Sequence, residues 1–207
     1  ITICYGGSII TAASNSSGNG YGPAIVTGIP SAPARSVIGF GDSIMRANQS
    51  TVYGDKFSNN GNFELAVSNR VGFVNCGING IRMMDFYQNA PNMTNYIYNF
   101  YKDYVTDAVI NLGVNDVAWY YSNSYGYTQM LTYMADMAST LRSFGLKVSW
   151  STISPRTTST DSFTTLANQT TEKWGSGAID SGVEIPALNT AIRDGTIPSD
   201  NGYIDFN

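Results

Sequence analysis

Val37-Ile38-Gly39-Phe40-Gly41-Asp42-Ser43-Ile44 is the stretch from which the fold can be read. A short apolar run enters Gly-Asp-Ser, and a helical pattern can start directly after it. This predicts a strand at about 37–40 with Ser43 on the turn that leaves it. In open α/β sheets such turns lie at the carboxyl edge, where ligands bind. The backbone N–H of a serine there falls in the first turn of the next helix. Donors in that turn lack intrahelical partners, and the helix dipole favours negative charge. A nucleophile whose attack creates an oxyanion needs those surroundings. Gly-Asp-Ser alone is common in loops, so the rest of the chain has to carry the argument.

The same kind of strand end recurs twice. Val71-Gly72-Phe73-Val74-Asn75 reads as a second strand, running into Cys76-Gly77-Ile78-Asn79-Gly80. Ala108-Val109-Ile110-Asn111-Leu112 reads as a third, ending in Gly113-Val114-Asn115-Asp116. Between them a helical pattern covers about 82–104, broken by Pro91. The clearest helix is about 127–144. Met130, Met134, Met137, Leu141 and Phe144 form one buried stripe there, with Gly145 at the C′ position. A fourth strand at Lys147–Ile153 is closed by Pro155. It is followed by a long polar loop over about 156–182, a helix near 184–194 and a fifth strand at Tyr203–Asn207.

Strands alternating with helices predict an α/β fold with a five-stranded parallel sheet and helices on both faces. The segment 48–70 is polar and mixed, with Phe63, Leu65 and Val67 alternating weakly. Residues 1–35 are rich in Gly, Ser, Asn and Pro. They read as a linker, or as the remnant of a small β-rich element, ahead of one domain spanning 36–207.

Composition narrows the class. The chain has 207 residues, enough for one domain with a real core. Charged residues are 13% of the chain, against about a quarter in ordinary soluble domains. A net charge of -4 and the lack of any basic run argue against nucleic acid as a partner. No apolar run approaches the roughly 20 residues of a membrane-spanning helix. From Ile1 onward there is no basic start followed by a compact apolar core, so no leader pattern is visible. A neutral surface rich in Tyr, Asn, Ser and Thr suits a secreted protein that meets polysaccharide. Cys4 and Cys76 are too few for a disulfide framework and show no metal spacing, and Cys76 reads as a small buried hydrophobe. No cofactor or metal is called for. Asn15, Asn48, Asn92 and Asn168 head Asn-x-Ser/Thr sequons, which a chain of this composition produces by chance.

Neighbouring parallel strands bring their carboxyl ends to one edge, so the three motifs can meet around a single crevice. Ser43 can attack an acyl carbon there. The N–H groups of Ser43 and Gly77 and the side-chain amide of Asn115 can point at the developing oxyanion, each such donor being worth about 3–4 kcal/mol. On these residues the chain resembles the SGNH (GDSL-type) hydrolases: Gly41-Asp42-Ser43 after the first strand, Gly77 after the second, and Gly113-Val114-Asn115-Asp116 after the third. The resemblance covers about 37 to the end. It implies a three-layer flavodoxin-like fold and hydrolysis of esters, often acetyl or other short acyl groups on sugars, sometimes lipids or thioesters. It also implies Ser43 as nucleophile, with Gly77 and Asn115 in the oxyanion hole.

One family block is missing. The resemblance implies an Asp-x-x-His after the fifth strand, and these 207 residues contain no histidine. Asp205 fits the strand itself and is not followed by a histidine. Three readings follow. The chain is a fragment without its last helix, or a cleaved chain whose partner peptide carries the block, or a pseudoenzyme, a carbohydrate-binding or structural module on the same fold that does not cut. A Ser–Lys dyad would replace the histidine, but Lys56, Lys102, Lys147 and Lys173 lie in no motif that places them beside Ser43. The candidate substrate contacts are Asp42, Trp119, Tyr120 and Arg156. Trp119-Tyr120-Tyr121 forms either an aromatic platform for a sugar ring or helix packing. Asp116 reads as a structural turn carboxylate, Arg82 as solvated surface, and Arg156 as part of a pocket-shaping loop.

Overall fold

The computed structural model describes residues 2–4, 26–28, 30–46, 62–67, 70–88, 103–123, 126–174 and 179–206. Its centre is a parallel sheet of four strands: β3 (Ser36–Gly41), β4 (Gly72–Asn75), β5 (Asp107–Asn111) and β6 (Lys147–Trp150). Their order is β4-β3-β5-β6. The register sets Ile38 beside Val74 and Ala108, and Ile110 beside Trp150. The first strand of the motif region is thus the second position in the sheet, with the other two motif strands on either side.

Strand alternation divides the core in two. Ile38, Phe40, Ala108, Ile110, Val148 and Trp150 point to the larger cluster. That cluster is completed by α2 (Met83–Gln88), α3 (Val114–Asn123), α4 (Tyr127–Ser143) and α5 (Ser181–Arg193). Half-buried Cys76 also packs against it. On the opposite face Met45, Phe63 and Phe73 form a small cluster with Val37, Val67 and Val109, beneath α1 (Asn62–Val67). Helices therefore cover both faces, giving three layers.

Of the α4 stripe, Met130, Met134, Met137 and Leu141 are buried as expected, while Phe144 caps the helix and is half-buried. Gly145, at φ 82°, ends the helix. Gly145 N–H donates to Arg142 O, and Leu146 N–H donates to Leu141 O. This is the Schellman pattern, with Leu141 and Leu146 both in the core. Phe63 and Val67, read as weak alternation, are one helical turn apart on α1. The helix expected over 82–104 is seen as Met83–Gln88, and its continuation lies outside the described residues.

Two further expectations change, and the β-rich alternative for 1–35 is met. The helix near 184–194 begins earlier, at Ser181, with Pro186 in its second turn. The polar loop over 156–182 contains two antiparallel pairs, β7 (Thr157–Ser159) with β8 (Gln169–Thr171) and β9 (Lys173–Trp174) with β10 (Ile179–Asp180). Within 1–35, β1 (Thr2–Cys4) pairs antiparallel with β2 (Val26–Gly28).

The fifth strand expected at Tyr203–Asn207 is a single parallel bridge between Ser151 and Ile204. Thr152 N–H donates to Ile204 O at 2.9 Å, and Ile204 N–H donates to Trp150 O at 2.9 Å. The next donor of the return segment, Phe206 N–H, turns instead to the Thr152 hydroxyl at 2.7 Å. A side-chain acceptor thereby ends the ladder after one step. The two other outward amides of β6 are also met by this return segment: Val148 N–H by Asp200 Oδ2 and Trp150 N–H by Ser199 Oγ.

Ile110 is fully buried between β3 and β6. Replacing it with alanine is expected to cost about 2–5 kcal/mol, read as a fall in the urea unfolding midpoint.

Candidate active site

The Gly-Asp-Ser turn is built by close packing at the end of β3. A Cβ on Gly41 would lie 2.3 Å from Met45 Cβ, so only glycine lets the chain fold back there. Asp42 is 1% exposed. Its Oδ1 accepts Ile44 N–H at 2.8 Å, and its carbonyl accepts Arg46 N–H at 3.0 Å, closing one helical turn around half-buried Ser43.

The second strand end is carried to this turn by an extension of the sheet ladder. Beyond β4, Cys76 N–H donates to Gly39 O at 2.8 Å and Ile78 N–H donates to Gly41 O at 2.9 Å. A Cβ on Gly77 would meet Arg46 N at 2.8 Å, so the second motif presses against the Gly-Asp-Ser turn. Asn75 locks it. Its Nδ2 donates to Met45 O at 2.9 Å and to Glu64 Oε1 on α1, while its Oδ1 accepts Gly77 N–H at 2.8 Å.

At the third strand end, Asn115 sits in the first turn of α3. Its Nδ2 donates to Asp42 Oδ2 at 3.3 Å and to Ile81 O at 3.1 Å. One side chain thus joins the first and third motifs to the residue that follows the second. Ser43, Gly77 and Asn115 occupy the same edge of the sheet, as the strand ends predict. Their donors, however, are already paired: Gly77 N–H with Asn75, and the Asn115 amide with Asp42 and Ile81. Sequence inspection missed Asn75 and Glu64 as the pieces that set this arrangement. The one available signal was an asparagine closing a predicted strand two residues ahead of a glycine.

Next to Asn115, Asp116 is the structural carboxylate expected from the sequence. It is 3% exposed and accepts Met83 N–H at 3.0 Å and Met84 N–H at 3.3 Å, fixing the start of α2 against the start of α3. Burial pushes its pKa up to about 7 against the pull of those two N–H groups. Burial also raises Asp42, opposed by Ile44 N–H and by the positive charge of Arg156. Arg156 therefore stands within electrostatic reach of the turn, at the base of the β7–β8 hairpin, where it pairs with Glu172 at 2.7 Å.

Arg82 is not merely solvated. It is half-buried and pairs with Asp85 at 2.6 Å. Trp119 and Tyr120 lie on α3, and their side chains are outside the described residues. Asp205 is held by Arg193 at 2.8 Å and by the Thr152 hydroxyl at 3.1 Å, consistent with a structural role. Lys147 is exposed at the amino end of β6, on the edge away from Ser43.

Three parallel strand ends of a three-layer α/β fold thus converge on the Gly-Asp-Ser turn. The family model of the GDSL-like lipases and acylhydrolases matches residues 37–189, and the chain belongs to that family of carboxylic ester hydrolases. Among solved structures, a GDSL-like lipase from Bacteroides thetaiotaomicron is similar, with 16% identity over 83% of this chain and 68% of that one and a TM-score of 0.52. An acetyl xylan esterase shares 17% identity over 82% and 76% of the two chains, with a TM-score of 0.48. A psychrotrophic esterase from Pseudoalteromonas sp. shares 14% over 83% and 77%, with a TM-score of 0.47. No curated protein matches in sequence.

The raised Asp116 gives a pH signature. Between about pH 4 and 7 the unfolded chain releases the Asp116 proton while the folded chain keeps it. This contribution to stability is present in full below pH 4 and is lost as pH rises to about 7. Asp116→Asn is expected to flatten stability across that window, measured by urea unfolding at pH 4.5 and 7.5.

Proposed function

We propose that the chain is a serine esterase that removes short acyl groups, acetyl being the expected one, from acylated carbohydrate outside the cell. Ser43 attacks the acyl carbon and carries the acyl-enzyme. Ser43 N–H, Gly77 N–H and Asn115 Nδ2 stabilise the oxyanion, with Trp119, Tyr120 and Arg156 on the alcohol side. Asp42, expected from the sequence to touch substrate, is 1% exposed and spends both oxygens on Ile44 N–H and Asn115 Nδ2, so it shapes the turn instead. The observation that carries the reading is the Asn115–Asp42 hydrogen bond, which joins the third strand end to the serine turn within a family-matched span. The carbohydrate and the extracellular setting rest on composition: few charges, many tyrosines and many hydroxyls. For catalysis Asn115 and Gly77 exchange their present acceptors for the substrate oxygen.

The base comes from outside these residues. A neutral serine hydroxyl is a poor nucleophile, and no histidine is present in the 207 residues. We assign the base to a histidine in an Asp-x-x-His segment, joined to the chain or supplied as a peptide. The paired state of the Gly77 and Asn115 donors favours one second reading, a non-catalytic carbohydrate-binding module on the same fold.

Initial rates on p-nitrophenyl acetate decide between them. Residues 1–207 alone are expected to give only the residual acceleration of a broken triad, about 10³- to 10⁴-fold over water. A fused Asp-x-x-His segment should raise the rate by orders of magnitude. Ser43→Ala should abolish the gain, and Asn115→Ala should cost about 10²- to 10³-fold. Full turnover by the 207 residues alone would show that the base has been misassigned. No gain with any histidine-bearing segment would favour the binding module.

A further inference from the structure

Glutamate is almost never fully buried unless it is paired. Glu64 is 1% exposed, on the short helix α1. One of its oxygens, Oε1, accepts Asn75 Nδ2. The other, Oε2, is buried and has no hydrogen-bond partner among the described residues. Native proteins keep few such atoms. Asn75 carries the link onward. Its Nδ2 also donates to Met45 O at 2.9 Å, and its Oδ1 accepts Gly77 N–H at 2.8 Å. A flipped amide would set Oδ1 against two acceptors and Nδ2 against the Gly77 donor. Glu64 and Met45 therefore fix which end of Asn75 faces Gly77.

We propose that Glu64 is a positioning residue that controls the oxyanion hole: through Asn75 it keeps Gly77 N–H latched until a substrate oxygen displaces the Asn75 amide. The proposal rests on the serine-esterase reading, in which Gly77 N–H is an oxyanion donor. With Glu64 in place, Asn75 has one stable orientation and Gly77 N–H stays occupied. Without that acceptor, one Asn75 proton loses its partner and Met45 O alone holds the amide, so its grip on Gly77 weakens. A carboxyl group buried for a single bond has a purpose if that bond sets the state of a functional donor. The neighbours of Gly77 are held differently. Cys76 N–H and Ile78 N–H donate to Gly39 O and Gly41 O of β3, without Asn75. The latch therefore acts on one amide between two that the sheet holds.

The test is hydrogen exchange followed by NMR on the whole 207-residue chain. The Gly77 amide and the Asn75 side-chain protons should exchange at least about ten-fold more slowly than in an unstructured peptide. Glu64→Met, which keeps the volume and removes the acceptor, should speed Gly77 exchange about ten-fold and leave Cys76 and Ile78 as they were. Glu64→Asp, one methylene shorter, draws the acceptor back from Asn75 and carries the same expectation should Glu64→Met fail to fold. Glu64→Gln, whose side-chain oxygen still accepts from Asn75, should restore slow exchange. Gly77 exchange unchanged in the folded variant, or lost together with Cys76 and Ile78, overturns the latch. Rates on p-nitrophenyl acetate separate the latch from the esterase. A freed oxyanion donor acts in the transition state, so Ser43-dependent kcat should rise about ten-fold with KM unchanged. Structural damage would lower it. Released Gly77 exchange with no Ser43-dependent rate in any variant keeps the latch and removes the esterase. A Ser43-dependent kcat that fails to rise when Gly77 is released keeps the esterase and overturns the control by Glu64.

Discussion

A carboxylate taken almost wholly out of water must find donors, and Asp42 finds two that organise the edge of the sheet. One oxygen holds Ile44 N–H and so shapes the turn that presents Ser43. The other holds the amide of Asn115, which starts the helix after β5. Removing the Asp42 carboxylate would break the direct tie between the first and third motifs. The ladder bonds from Cys76 and Ile78 to β3 tie in the second motif independently. The edge is held by backbone pairing on one side and by a buried carboxyl group on the other.

The same saturation of polar groups shapes the chemistry. Gly77 N–H and the Asn115 amide are both satisfied before any substrate arrives. Any further acceptor would have to displace the Asn75 amide oxygen at Gly77, and the Asp42 carboxyl or the Ile81 carbonyl at Asn115. Asn75 is itself anchored from α1 through Glu64 and from the Gly-Asp-Ser turn through Met45 O. The state of the second motif therefore depends on how α1 sits against the sheet.

Much of this was legible because it follows from periodicity. The α4 stripe of methionines repeats at helical spacing, and the three motif strands combine apolar runs with glycine-bearing ends. What stayed hidden lacks such a period. Thr157-Thr158-Ser159 and Gln169-Thr170-Thr171 pair as strands without apolar alternation, so they read as loop. The tip between them is set by the Asp161 carboxylate, which accepts from Ser159 Oγ, Thr164 N, Thr165 N and Asn168 Nδ2, and no sequence pattern announces that cluster. α1 is six residues long, too short for its spacing to stand out from an alternating strand. In the site, the meeting of Ser43 with Asn115 follows from strand order. The capture of Gly77 N–H by Asn75 does not, because it is a local side-chain bond that competes with any other acceptor.

The return segment 199–206 has a consequence for the solution behaviour of the molecule. An edge strand with bare amides invites pairing with another chain, and edge-to-edge growth is a common route to aggregation. On β6 the outward donors of Val148, Trp150 and Thr152 are all occupied, two by side chains and one by Ile204 O. Because Asp200 and Ser199 supply side-chain acceptors where a strand would supply carbonyls, the segment seals this edge without presenting a regular new one. Among the described residues, the outer flank from Val148 to Thr152 therefore offers no bare amide to a further strand.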